Sequence, residues 1–204
     1  MANSDLGKRI ACLDADGLDL LFREARTHRV WTDRTVGDDL LHQLHDLTIM
    51  APTANNCLPA RIFYIKSQAA KERLKPALSE GNVEKVMTAP VTAIVAYDLA
   101  FHNRMDELSG KVGAGAGFAA NAEGAAIAAF RNGSLQGGYF MLAARALGLD
   151  VGAMSGFDNA AVDEEFFAGT EVKSNFLCNL GYGDSATLRP RGPRLTFADV
   201  SEIL

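Results

Sequence analysis

The stretch from Arg26 to Thr35, RTHRVWTDRT, sets Arg26, His28, Arg29 and Arg34 around Trp31, the only tryptophan of the chain. A guanidinium presents a fork of N–H donors and no acceptor, so several in one short segment suit a carboxylate or a phosphate. The protein as a whole has the opposite charge, with 20 Lys and Arg against 25 Asp and Glu and a formal net charge of -5. That balance lacks the broad positive field selected by nucleic acids or anionic membranes, so the expected anion is small. A second basic segment, RPRGPRLTF at 189 to 197, adds Arg189, Arg191 and Arg194 on a run stiffened by proline.

Two further stretches offer small polar groups. MAPTANNCLPA, 50 to 60, ends a helix with Pro52 and then presents Thr53, Asn55 and Asn56, short groups able to bond a polar ring edge or a phosphate. GLDVGAMSGFD, 148 to 158, reads as a loop in which Gly152, Ser155 and Gly156 leave backbone N–H groups approachable. Other motifs fail on spacing. In KVGAGAGFAANAEG the glycines at 113, 115 and 117 alternate, and no strand precedes them, so the dinucleotide turn is not met and a loop leading into a helix is expected. In DADG the calcium register puts Cys12 first and Arg23 where a bidentate Glu is needed. The His42 and His45 pair lacks the third ligand and Glu of a hydrolytic zinc helix and reads as a solvated face, so no metal is expected. A nucleophile elbow and a P-loop are both absent from the sequence.

These loops need a scaffold. Helical spacing predicts helices in DGLDLLFREAR and GDDLLHQLHDLTIM, with Asp16 and Asp38 near their starts. ARIFYI, APVTAIVAY and SNFLCNLGYG read as strands, and SQAAKERLKPAL as a helix that breaks near Pro76. The longest helix is expected from Ala119 to Leu147, stopped by Gly148. Gly124, Gly133, Gly137 and Gly138 inside it imply that something approaches its backbone closely. A chain of 204 residues with 48% hydrophobic content buries roughly 70% of its unfolded surface, and no linker divides it, so one domain over 1–204 is expected. The first residues show no uninterrupted apolar segment, no later run reaches the ~20 apolar residues of a membrane span, and a cytoplasmic location is expected. Cys12, Cys57 and Cys178 are few, odd in number and far apart, which predicts reduced thiols.

Taken in order, R-T-H-R, A-P-T-x-x-N-x-x-P, G-L-D-x-x-x-M-S-G-F-D, N-x-G-Y-G-D and a late R-x-P-R-L resemble the flavin-dependent nitroreductase family over residues 26 to 195. Through EARTH, LSEGN, FRNGSLQGGYFMLAARALGLD, MSGFD and KSNFLCNLGYGD the chain is most similar to the branch of malonic semialdehyde reductases, which form 3-hydroxypropionate in pyrimidine catabolism. The resemblance implies an α+β fold with a central, mostly antiparallel sheet flanked by helices, a long helix at a homodimer interface and an extended C-terminal arm. It also implies one FMN at each of two sites between subunits, with NADH or NADPH as electron donor and an aldehyde or other small acceptor taking a hydride in ping-pong order. The competing functions are a broad nitroaromatic or quinone reductase and a flavin-binding protein without turnover.

By the same resemblance, Arg26, Thr27, His28 and Arg29 hold the FMN phosphate together with Arg194 and Arg191 from the arm. For Arg29, Arg34 and Arg189 surface ion pairs with Asp33, Asp38 or Asp39 are the competing role. Pro52, Thr53 and Asn56 match the loop at the flavin, with Leu58 standing where many relatives carry Gln. Lys85 matches a lysine beside flavin N1 and O2, where a cation would stabilise the negative charge of the reduced ring; a solvated lysine is the alternative. Ser155 and Gly156 are the catalytic pair beside N5, Gly156 donating its N–H, with Ser155 replacing the Glu of many relatives. Gln136 and Ser134 fall where the long helix passes the flavin, although helix packing also accounts for them. Arg61 and Arg104 are the residues considered for a substrate carboxylate.

Overall fold

The computed structural model describes residues 12–204; the reading of the first residues as lacking an apolar segment lies partly outside them. The order of elements is α1 (Ala15–Leu18, continued by a π-helical turn Asp19–Arg23), α2 (Asp38–Thr48), β1 (Ala60–Ile65), α3 (Gln68–Leu74), α4 (Glu80–Thr88) and β2 (Val91–Asp98). Then follow α5 (Met105–Ser109), α6 (Ala116–Ala119), α7 (Ala122–Ala146), β3 (Asp150–Met154), α8 (Asn159–Phe167), β4 (Val172–Gly181) and α9 (Phe197–Val200). The four strands form one antiparallel sheet in the order β1-β2-β4-β3, giving the α+β architecture expected.

Strand alternation decides which helices cover which face. Val91, Ala93 and Val95 of β2 point to one side, where Leu41 and Leu44 of α2 and Phe140, Ala143 and Ala144 of α7 pack. Ile94 and Ala96 point to the other, against Leu74 of α3, Val86 of α4, and Val162 and Phe167 of α8. A side chain such as Phe140 or Leu74, fully withdrawn from water, contributes about 1.5–3 kcal/mol. With both faces covered, β2 reads as an unbroken apolar run.

The long helix begins at Ala122, three residues after its expected start, because the Asn121 side chain accepts from the Gly124 N–H at 2.9 Å and caps it there. Two of its glycines are explained by close approach: a Cβ at Gly133 would lie 2.9 Å from Tyr97 Cβ, and one at Gly137 would lie 2.7 Å from the Phe176 ring. Within one chain Gly138 meets nothing within 4 Å and Gly124 only its own cap. The outer face of α7 leaves Ile127, Phe130, Leu135 and Tyr139 at 42 to 52% exposure.

Several expectations are corrected. Asp14, not Asp16, caps α1, its Oδ1 accepting from Gly17 N at 2.8 Å. Gly37 occupies the cap of α2, and Asp38 instead pairs with Lys66. The segment 150–154 is strand β3, not loop; its two small residues, Gly152 and Ala153, hid the β pattern. Helices α4 and α8 had not been foreseen. Cys12 is exposed, Cys57 and Cys178 are buried, and all three are free; burial pushes the Cys178 thiol up to about 12. His42 and His45 lie on the exposed face of α2. No helix among the described residues is long and apolar enough to cross a membrane.

Candidate functional site

The first basic segment is fastened as a short extra strand. His28 N donates to Val151 O at 3.0 Å, Thr32 N to Tyr182 O at 2.8 Å, and Asp184 N to Val30 O at 3.0 Å. The side chains of His28 and Trp31 turn inward. His28 is 7% exposed and places Nε2 3.2 Å from Asp150 Oδ1, while Asp150 Oδ2 accepts from Gly183 N at 2.8 Å. Trp31 lies over Gly181 and Gly152, where added Cβ atoms would come within 2.9 and 3.3 Å of the indole. His28 thus anchors the segment, and Arg26, Thr27 and Arg29 line a cavity of about 470 Å³.

Six arginines line that cavity: Arg26 and Arg29, Arg145 from the end of α7, and Arg189, Arg191 and Arg194 from the C-terminal arm. Among the described residues no aspartate or glutamate lines it. The bonds these guanidinium groups make go to neutral carbonyls: Arg26 to Arg189 O, Arg145 to Leu21 O at 3.2 Å, and Arg191 to Ala25 O at 2.9 Å. Arg194 reaches only Gly192 O and Pro193 O in its own turn. Among the described residues none of the six pairs with a carboxylate, so the expected surface pairing of Arg29 and Arg189 with Asp33, Asp38 or Asp39 is not formed. Arg34 sits over the Tyr182 ring at 3.6 Å, a cation–π contact. Clustered cations without counter-charge repel one another, and a bound dianion removes that cost. Arg145 was missed because its position near the end of a helix explains a basic residue without any ligand.

Two hydrogen bonds, outside the cavity lining, connect Lys85 to Gly156. Lys85 Nζ donates to Asn82 Oδ1 at 2.8 Å, and Asn82 Nδ2 donates to Gly156 O at 2.9 Å. Burial, and then the charges of Arg29 and Arg189, hold the Lys85 pKa below its usual value, which ties Lys85 electrostatically to the arginine cluster. The backbone of Lys85 is fixed from the sheet: its O accepts from Asn179 Nδ2 at 2.8 Å, and Asn179 Oδ1 accepts from Thr92 Oγ1 at 2.6 Å, both side chains being fully buried. Gly156 does not adopt a positive φ, so a left-handed turn is not the reason for glycine here. A Cβ at Gly156 would lie 2.6 Å from Asn82 Nδ2, and its N–H meets no acceptor among the described residues. Ser155 is exposed beside it. Asn82 had been overlooked; its place three residues before Lys85 on α4 is the signal that could have found it.

The other sequence-selected residues lie elsewhere. Asn55, Asn56 and Leu58 hold φ values of 53, 54 and 38°, a conformation costly for side-chain-bearing residues. Helix α7 holds this loop: Asn132 Oδ1 accepts from Ala54 N at 2.8 Å and Gln136 Oε1 from Ala60 N at 2.9 Å, both side chains being 3% exposed. Thr53 Oγ1 accepts from Leu58 N, and Asn56 Nδ2 donates to Leu108 O, each at 3.2 Å. Pro52 and Thr53 line a second hollow of about 560 Å³, walled by α6 and α7, and no residue of this loop lines the arginine cavity. One chain therefore does not bring Pro52, Thr53, Asn56 and Gln136 to the arginines. Ser134 is taken up by Phe130 O and Asn175 Nδ2. Arg61 bonds Asp98 Oδ2 at 2.7 Å and Arg104 grips Glu107, so both guanidinium groups considered for a substrate carboxylate are engaged.

An antiparallel sheet between two helical layers, with an anion cavity where strand, helix and C-terminal arm meet, defines an α+β ligand-binding protein. The chain belongs to the nitroreductase family, whose pattern it matches over residues 22–182. It is 56% identical over 191 residues to a Burkholderia lata protein provisionally named NADH dehydrogenase/NAD(P)H nitroreductase, covering 94% of this chain and 98% of that one. A Stenotrophomonas maltophilia protein with the same provisional name is also 56% identical, covering 94% and 97%. Among solved structures, a provisionally named nitroreductase of Exiguobacterium sibiricum in complex with FMN is similar, with TM-score 0.83, 20% identity and coverage of 95% and 99%. A Bacillus subtilis nitroreductase, also provisionally named, has TM-score 0.82, 22% identity and coverage of 94% and 100%.

Proposed function

We propose that this chain is an FMN-dependent oxidoreductase that draws electrons from NADH or NADPH and reduces malonic semialdehyde. The balanced reaction is malonic semialdehyde plus NAD(P)H plus a proton giving 3-hydroxypropionate plus NAD(P)+, a step of pyrimidine catabolism. The observation that carries the flavin reading is the cavity of six arginines with no carboxylate among the described residues, accompanied by the Lys85–Asn82–Gly156 hydrogen bonds that leave the Gly156 N–H open. These residues fit FMN by their chemistry: a phosphate dianion at one pole and a polar ring edge at the other. FMN, when bound, would supply the hydride-accepting and hydride-donating chemistry. Arg26 and Arg194, with Arg191, Arg29 and Thr27, would hold the phosphate. Lys85 would offset negative charge at the pyrimidine edge of the ring, and Gly156, flanked by Ser155, would orient N5 through its N–H.

The same reading makes the protein a homodimer. The exposed apolar face of α7 and the arm residues Leu195, Phe197, Val200 and Ile203, 62 to 88% exposed, supply the apolar area that a second copy would cover. Pro52, Thr53 and Asn56, with Gln136 holding the loop from behind, then reach the flavin of the other chain. The names of the Burkholderia and Stenotrophomonas relatives favour a second reading, a broad nitroaromatic or quinone reductase on the same flavin site. Steady-state kinetics with both nicotinamides separate the two: a kcat/KM for malonic semialdehyde well above that for nitroaromatics and menadione supports the aldehyde, and the reverse order supports the broad reductase.

A further inference from the structure

Helix α7 carries three charged residues in its whole length, Glu123 near its start, Arg145 at its end and Arg131 between them. Arg145 belongs to the arginine cavity. Arg131 lies instead in the hollow beside Pro52 and Thr53, among Phe118, Ile127 and Leu135. The helix positions one turn away are Ile127, Ala128, Ser134 and Leu135, none of which can neutralise it. Among the described residues no carboxylate or carbonyl accepts from its guanidinium. Arg131 is exposed on the single chain, and its planar fork of donors suits a carboxylate in bidentate geometry, which supplies orientation as well as energy.

We infer that Arg131 reads the carboxylate of the electron acceptor, and that the acceptor is accordingly a short aldehyde acid. The inference rests on the reading given above, in which the Pro52–Thr53 loop faces the flavin of the second copy. Three features support the assignment. The two other arginines considered for this role are bound to Asp98 and Glu107. The loop beside Arg131 is held rigidly, its Ala54 N–H fixed by Asn132, the next residue on the helix, so the distance between the loop and the Arg131 backbone is set. The remaining walls are mostly apolar, with Thr53 and Asn132 the other polar side chains, which suits a short carbon chain. Arg131 is thus a specificity-determining residue in the substrate hollow, separate from the residues assigned to the cofactor.

The test uses the flavin-loaded protein and its Arg131→Gln and Arg131→Lys variants. Two acceptors are compared, malonic semialdehyde and neutral menadione, and malonate, an unreactive diacid, is titrated against the flavin absorbance. Loss of one charge-assisted pair predicts that Arg131→Gln raises KM for the aldehyde acid and weakens malonate by roughly 10- to 100-fold, with menadione kinetics, flavin content and dimer mass unchanged. Arg131→Lys should recover part of the loss. Equal losses for both acceptors, unaltered malonate affinity, or dissociation of the dimer would each overturn the inference, the last assigning Arg131 to the subunit contact. A wild-type protein that loads FMN yet oxidises NAD(P)H with no acceptor defeats the proposed function itself; an active enzyme whose Arg131→Gln variant treats both acceptors alike defeats only this inference.

Discussion

The cavity at Arg26 and the hollow at Pro52 are comparable in size, about 470 and 560 Å³, but they are built on opposite terms. In the first, six guanidinium groups converge and find only carbonyl partners, so the charge awaits a ligand. In the second, α7 spends Asn132 and Gln136 on the protein's own backbone, where they hold a loop with three positive-φ residues, while Arg131 has no hydrogen-bond or ion-pair partner among the described residues. A single chain thus carries an arginine-lined cavity and a rigid, mostly apolar wall, to which the proposed function assigns different ligand groups. The difference teaches that the anion pole depends on charge placement and the wall on backbone restraint, so substitutions in the two should fail in different ways.

The largest expected effect breaks the link between the anion pole and the ring. Gly156→Val places a Cβ against Asn82 Nδ2, displacing the Asn82–Lys85 pair and the N–H aimed at the ring. Misplacement of about 1 Å costs on the order of 100-fold in rate, so stopped-flow reduction of the bound flavin by saturating NAD(P)H should slow by about that factor while the variant remains dimeric. A folded variant with wild-type reduction would remove Gly156 from the chemistry.

A smaller effect sharpens the contrast from the other side. Asn132→Ala leaves the Ala54 N–H without its acceptor, and Gln136→Ala does the same to Ala60. Each should lower stability by about 1–3 kcal/mol in urea unfolding while leaving the phosphate pole intact. Loss of FMN affinity without loss of stability would mean that these side chains touch the cofactor directly.

The smallest effect concerns Lys71, which is 5% exposed and donates to Met87 O and Ala89 O at the end of α4, the helix that carries Lys85. Burial holds its pKa below 10.5. Between that depressed value and 10.5 the unfolded chain binds more protons than the folded one, so this group makes stability rise with pH through that window. Cys178 and Tyr64, both pushed up to about 12, make stability fall over the same range, so the test is the difference: wild-type denaturant midpoints should gain on those of Lys71→Met as pH rises to 10.5, and parallel profiles would remove Lys71 from the balance.

Much of this molecule was legible in its sequence. ARIFYI marked β1 to the residue because β-branched and aromatic side chains fill a strand covered by α7, and the two basic segments announced a cavity that the fold then assembled. What stayed hidden had local explanations that concealed tertiary roles. Gly152 and Ala153 masked β3, Arg145 at a helix end gave no sign of a place in the cavity, and nothing local marks Asn132 as the acceptor for Ala54 N. His28 and Trp31 were read together with the arginines, yet their side chains serve the packing that presents those arginines.

The account rests on the arginine cavity as the seat of the FMN phosphate, and the most direct measurement is the dissociation constant of FMN for apo-protein, followed by quenching of flavin fluorescence, in wild type and Arg26→Ala. One charge-assisted bond contributes about 1.5–3 kcal/mol, so the variant should bind FMN roughly 10- to 150-fold more weakly, with riboflavin, which lacks the phosphate, bound equally by both. An FMN affinity unchanged by Arg26→Ala, or a riboflavin affinity reduced as much as that for FMN, would contradict it.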